Sequence, residues 1–347
     1  MSWIKEGRAT AIGSVPYDNA EAALRLLADC LPHWPHWPQL PGSSDEEGFV
    51  LQYIQPLIKL NLIEKRKNDL VFRRDQADWQ DNLLRFYEAY FSFKEGKEEE
   101  IFALNGKAFA GLNAFCSSFN SYFPLAEGVK GQLSGPLSLG LDIKDENGKD
   151  CFYDRELLDL LLKCLETQGI MQIKKLKELG LPVMLFIDDP AIFLLGTAGY
   201  ITLTDEEIQA ALLALIKPLQ EAGAKVGVHV CSKSQWPVLL ELPLDVISFD
   251  AYHFFDSMAL YSSELLAYLN KGGKIAWGIV PTEEEAVKLS TDDLQALIST
   301  QVKELAKRGI EPDLLSKNII WTPSCGTGTL QEKTTEHIYH LLREVSR

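Results

Sequence analysis

From about residue 128 onward the chain alternates short β-branched runs with helical stretches, and this rhythm limits what it can fold into. The runs are 130–134 (KGQLS), 182–188 (PVMLFID), 225–230 (KVGVHV), 245–250 (DVISFD), 274–280 (KIAWGIV) and 318–322 (NIIWT). Amphipathic segments lie between them. The segment Asp205 to Ala222 has Thr204 as its N-cap, and a long helix over roughly 152–179 stops at Gly180. Strands that alternate with helices imply parallel pairing through right-handed crossovers. The run TAIGS (10–14) followed by a helical pattern at 19–30 adds one unit, and a further strand near 35–39 brings the expected number to eight.

The expected architecture is therefore α/β, a (β/α)8 barrel with an insertion after the first strands at about 40–127. The insertion contains the basic-rich stretch KRKNDLVF and helical patterns at 76–94 and 108–122. A doubly wound open sheet is the rival, but no GxGxxG follows the first strand. The chain shows no solenoid-period repeat, low-complexity tract or linker, so residues 1–347 read as a single catalytic domain.

A formal net charge of −15, from 34 basic and 49 acidic residues, argues against a general nucleic-acid binder, which needs a basic face. No run approaches the roughly 18 apolar residues of a membrane span, and MSWIKEGRATAIGS lacks the apolar stretch of a signal peptide. Six widely scattered cysteines do not form a disulfide framework. A reducing cytoplasm is the expected compartment, with thiols free for metal or catalysis.

In a barrel the active site is built at the C-terminal ends of the strands. Those ends carry Gly13-Ser14, Ser134-Gly135-Pro136, Asp188-Asp189-Pro190, His229-Val230-Cys231, Asp250-Ala251-Tyr252, Pro281-Thr282 and Ser324-Cys325-Gly326. His229 and Cys231 stand at i and i+2 on one strand and so face the same side. Alone, such a pair reads most simply as a core histidine beside a small buried thiol. Cys325, in a Gly-flanked loop at the end of the last strand, changes the balance. One imidazole and two thiolates suit zinc, with a fourth position left for a carboxylate or a substrate.

The set IGS (12–14), SGP (134–136), IDDPA (187–191), HVC (229–231) and PSCG (323–326), in this order, resembles the catalytic barrel of cobalamin-independent methionine synthase in its short "core" form. The wider superfamily includes uroporphyrinogen decarboxylase and the corrinoid-dependent thiol methyltransferases. The resemblance implies a zinc ion held by His229, Cys231 and Cys325. The family's glutamate ligand falls on Asp250, one methylene shorter, which either coordinates or orients a ligand from behind. It also implies homocysteine bound at Ile12, Ser14 and Asp188, with Asp188 as the catalytic acid. A further acid in GSSDEEGF (42–49) falls on Glu46 or Glu47. The family's histidine after the seventh strand is absent from WGIVPTEEE, and there is no second barrel for folate. A methyl-corrinoid protein is the donor this implies, and methionine the product.

Three rivals accompany that expectation. One is methyl transfer from a corrinoid protein to another thiol. Another is a metal-free decarboxylase of porphyrinogens, with only Lys5 and Arg8 as basic residues near the first strand. The last is a binding module without catalysis. Among the other histidines, His33 and His36 lie in a proline-interrupted loop that packs Trp34 and Trp37, and His253 reads as a rim residue. His337 and His340 read as surface or packing residues of the terminal helix.

Overall fold

The computed structural model describes residues 3–67 and 69–347. Six strands form one parallel, curled sheet: β3 (Val129–Ser134), β4 (Val183–Asp188), β5 (Ala224–Val230), β6 (Val246–Phe249), β7 (Lys274–Val280) and β8 (Ile319–Pro323), ordered β3-β4-β5-β6-β7-β8. A separate antiparallel hairpin pairs β1 (Ile63–Arg66) with β2 (Asp69–Phe72). The six long strands are almost wholly buried, as strands covered on both faces must be. Leu133, Leu185, Ile187, Val226 and Val228 belong to the main core, which also takes in residues of the long helix. Met184, Phe186, Val246, Ala276 and Ile320 join Ile12 and Trp34 in a second cluster on the opposite, inner face.

The expected strands at 10–14 and 35–39 do not form ladders. They make isolated parallel bridges, Ala9 with Trp321, Ser14 with Gln39, and His36 with Lys130, in the gap between β8 and β3. Backbone bonds run from Thr10 N to Trp321 O at 3.0 Å, Gln39 N to Gly13 O at 3.0 Å, and Trp37 N to Lys130 O at 3.2 Å. Prolines at 35 and 38 remove ladder donors. Gly13 sits at φ 152, where the backbone leaves the pleat. Eight expected strands thus become six, with two bridging segments.

Helix boundaries follow the expected signals. Thr204 and Glu207 form a capping box on the helix Asp205–Glu221, and the long helix spans Arg155–Lys177, capped by Asp154, with Gly180 at φ 75 beyond it. The expected helices of the insertion appear as Trp79–Lys94 and Ala110–Tyr122, while KRKNDLVF supplies much of the hairpin. The insertion packs on the β3 side. Tyr53 donates to the Gln132 carbonyl at 2.9 Å, Lys94 pairs with Glu166 at 2.6 Å, and Ser134 Oγ donates to the carbonyl of Phe49. That last contact brings Phe49 to the end of β3, beside the site.

Candidate metal centre

One rung of the sheet is polar across four strands. Ser134 on β3 is in register with Asp188 on β4, Asp188 with His229 on β5, and His229 with Ser248 on β6. Phe186 and Val246, two residues before Asp188 and Ser248, belong to the inner face, and the parallel register carries Ser134 and His229 onto the same face.

At the end of β5, donor atoms of His229, Cys231 and Cys325 all lie within 4.8 Å of one another. His229 is 2% exposed. Its Nδ1 lies 2.9 Å from Ser248 Oγ, and its Nε2 is buried without a hydrogen-bond partner among the described residues. A buried polar atom left bare is costly, and an ion held between it and the two sulfurs would satisfy it. The Cys325 thiol holds Cys231 below the usual thiol range, while Cys231 and burial together push Cys325 up. His229 opposes the rise at Cys325, so the three donor side chains are electrostatically coupled to one another. Borderline and soft donors in this number suit zinc.

Asp250 does not join that group. Its carboxylate caps the helix Ala251–Ala259, accepting from His253 N at 2.9 Å and lying 2.8 Å from His253 Nδ1. Of the two roles expected for Asp250, the ligand role is therefore not the one the geometry brings together. An aspartate that already caps a helix has little freedom to reach sideways to an ion.

A cavity of about 330 Å³ opens beside the cluster, lined by Ile12, Ser14, Asp188, Gln39 and Phe49 as well as by the three donor residues. Burial raises the Asp188 carboxyl above its ordinary range, with Lys130 and His229 opposing that shift. Its Oδ1 is buried and unpartnered among the described residues. Ser14 Oγ accepts from Gly328 N at 3.3 Å, and the Ser14 carbonyl accepts from Thr327 N at 2.9 Å. Gly326 leaves room for Ser14, because a Cβ there would strike its hydroxyl. Neither Glu46 nor Glu47 lines the cavity. Glu46 is exposed, whereas Glu47 is buried, accepts from Gly111 N at 2.8 Å, and is pushed by burial to about 7.

The two acids of IDDPA have separate work. Asp188 faces the cavity. Asp189 turns to the helix Pro136–Asp142, where its carboxylate takes the N–H groups of Leu137 and Ser138. Gly135 is required by this approach, since a Cβ there would collide with the Asp189 side chain. The SGP and DDP motifs are two halves of one joint.

Beneath the site, Lys130 is fully buried, donates to the Ile12 carbonyl and lies 4.7 Å from the centre of the Phe186 ring. Burial lowers it to about 8, and Asp188 opposes that shift. Sequence reasoning missed this residue. The signal was the alternation Lys130, Gln132, Ser134, whose polar face turns inward in a sheet covered on both sides. Gln39, Phe49, Gly328 and Thr329 were also missed, because loop geometry rather than a motif brings them to the cavity.

The remaining histidines do not converge on a metal. His36 lies between the Trp37 carbonyl and Tyr339 Oη, each at 2.9 Å, and burial lowers it to about 3. Its neighbours Trp34 and Trp37 are buried as expected. His33 meets the Leu125 carbonyl at 3.1 Å, and His337 the Leu289 carbonyl at 3.2 Å. His253 stands 3.7 Å from Glu283. A second close set, Asp29, Cys30 and His340, carries Arg343 on the same Asp29 oxygen at 2.6 Å, which makes it an ion-pair network. Burial pushes the Cys30 thiol up to about 12, so it stays protonated there.

No protein-family model matches the chain, and no curated protein matches it. Among solved structures it is similar to a B12-independent methionine synthase from Shewanella sp. W3-18-1 in complex with selenomethionine. That similarity has a TM-score of 0.57 at 13% identity and covers 98% of this chain and 97% of that one. A GH5 family lichenase from Caldicellulosiruptor sp. F32 follows at a TM-score of 0.39 and 12% identity, covering 97% of this chain and 98% of the other. At such identities the likeness to the methionine synthase is one of fold. No helix among the described residues is long and apolar enough to cross a membrane.

Proposed function

We propose that this chain is a zinc-dependent methyltransferase that methylates the thiol of homocysteine to form methionine. In this reading residues 8–15 and 35–39 take the two remaining places of a (β/α)8 barrel. His229, Cys231 and Cys325 hold the ion, and the fourth position is left for the substrate. The observation that carries the reading is the donor cluster with its bare, buried His229 Nε2, set in the wall of a cavity that also contains Asp188.

When bound, zinc supplies a Lewis acid that keeps a thiol sulfur deprotonated at neutral pH. The chain's own groups do the rest. Asp188 offers an anion, with one oxygen free, to a substrate ammonium group. The Ser14 hydroxyl, whose oxygen already accepts from Gly328, keeps its own proton to donate to a carboxylate. Phe49, Pro41 and Pro190 give the cavity apolar walls that match the methylene chain and exclude water.

An amino-acid thiol is favoured over a simple thiol because only the former uses Asp188. Among the described residues no lysine or arginine lines this cavity, which disfavours the polyanionic side chains of a porphyrinogen or a polyglutamyl folate. The donor we propose is accordingly a methyl-corrinoid protein that approaches from the strand ends.

The test combines metal analysis with a methyl-transfer assay. Wild-type protein is expected to hold one zinc per chain, lost in Cys325→Ala, and to methylate homocysteine from methylcobalamin faster than 2-mercaptoethanol. Full zinc occupancy in Cys325→Ala removes the ligand assignment. Equal rates on both thiols replace homocysteine by a less selective acceptor.

A further inference from the structure

We propose that Ser248 is the positioning residue of the metal centre: it accepts Nδ1–H of His229 and so fixes the imidazole with a bare Nε2 turned to the two thiols. The inference rests on the zinc reading above and deepens it.

A neutral imidazole carries one proton, and the tautomer is set by the partner of the other nitrogen. Only the form with the proton on Nδ1 leaves a lone pair on Nε2 for an ion. Ser248 Oγ lies 2.9 Å from Nδ1, and both side chains are buried, at 0% exposure for Ser248 and 2% for His229. The contact is built into the sheet, because His229 and Ser248 are paired residues of β5 and β6 and share its inner face. Serine is short and has a single bond to turn about. Its oxygen is therefore placed by the backbone register rather than by a flexible stem.

The other face of the ring bears out this geometry. Nε2 has no partner among the described residues, although the rest of the rung is polar. On the next strand the same rung pairs Ser248 with Ala276 of β7, so the polar series ends at the serine. Ser248 is thus the terminal support of the series Ser134, Asp188, His229. Its removal leaves Nδ1–H buried and unpaired, and frees the ring to exchange tautomers or rotate.

The test measures zinc affinity by competition with a chromophoric chelator on purified full-length protein, and reads folding by circular dichroism. Ser248→Ala is expected to weaken zinc binding by about 10- to 100-fold, the range for outer partners of metal-bound histidines. Ser248→Thr, which keeps the hydroxyl, is expected to stay within about 3-fold of wild type. Unchanged affinity in Ser248→Ala overturns the inference. So does a folded Ser248→Thr that binds as weakly as Ser248→Ala, since packing alone then explains the loss.

A second readout is independent of zinc. Nitrogen-15 shifts of His229 in metal-free wild type are expected to show Nδ1 protonated and Nε2 bare, and the opposite tautomer overturns the inference. If wild type takes up no zinc, the proposed function fails, and this tautomer measurement still decides the role of Ser248. It decides equally if Ser248→Ala does not fold.

Discussion

Asp189 holds Ser138 twice: its Oδ1 accepts the backbone N–H at 2.8 Å and the side-chain hydroxyl at 2.6 Å. With Oδ2 on Leu137 N at 2.9 Å, the carboxylate closes the first turn of Pro136–Asp142 from a neighbouring strand end. Asp189→Ala is therefore expected to cost about 2–3 kcal/mol of stability through the lost cap and the unpaired donors. Urea denaturation measures this, and zinc content should be unchanged in the folded fraction. A variant that keeps its stability but loses metal would reverse the roles assigned to the two adjacent acids.

Asp188→Asn tests the other acid. The substitution keeps shape but removes the anion, so homocysteine binding to the zinc-loaded protein should weaken by about 10-fold or more, from the loss of a charged hydrogen bond. Calorimetric titration reads it. Binding of a simple thiol, which has no ammonium group, should change little.

Gly13→Ala probes the turn that presents Ser14. At φ 152 a side chain is strained, and a new Cβ would lie 2.6 Å from Gln132 Cδ. Gln132 is itself held by the Trp37 carbonyl at 3.2 Å and cannot move freely. A loss of about 1–3 kcal/mol is expected, seen as a lower Tm. Gly96→Ala is a useful contrast, because its φ of 89 is also strained but no atom lies within 4 Å of the added Cβ.

Acid should loosen the segment that bridges β8 and β3. The Arg8 guanidinium, with Lys5, lowers the Glu127 carboxyl from its ordinary 4.5 to about 2. Arg8 meets it at 2.9 and 2.8 Å. A depressed carboxyl contributes stability that is complete above the unfolded pKa near 4.5 and is lost as pH falls toward 2. After solvent screening this amounts to about 1–2 kcal/mol. Denaturation midpoints of wild type and Glu127→Gln between pH 6 and 2.5 should converge at the acid end. Parallel curves would show that the ion pair adds nothing.

Much of the sheet could be read from sequence because its strands are continuous β-branched runs that end in polar residues. His229, Cys231, Cys325, Asp188, Ser14 and Ile12 do come together around one cavity. The segments at 10–14 and 35–39 were over-read as strands, since Gly13, Pro35 and Pro38 permit only single bridges there. Asp250 was ambiguous for a physical reason. An aspartate at a strand end that opens a helix satisfies a metal and an N-terminal N–H equally well on paper, and only the distances to His253 separate the two. Neither Glu46 nor Glu47 reaches the cavity, because Glu47 is buried against Gly111 N of the helix Ala110–Tyr122 and Glu46 is exposed, and no sequence signal separates such acids from substrate-facing ones.

The contact of Thr327 with Ser14 joins residues 313 apart, and the second sulfur of the cluster lies in that same late loop. On a ribosome His229 and Cys231 emerge first. At roughly 5–20 residues per second, Cys325 follows them by about 5 to 20 seconds. Throughout that interval the nascent chain carries an imidazole and one thiol with no second sulfur to complete them. On the zinc reading proposed above, selection of the metal waits for the last strand to dock and is not decided when the first donors appear.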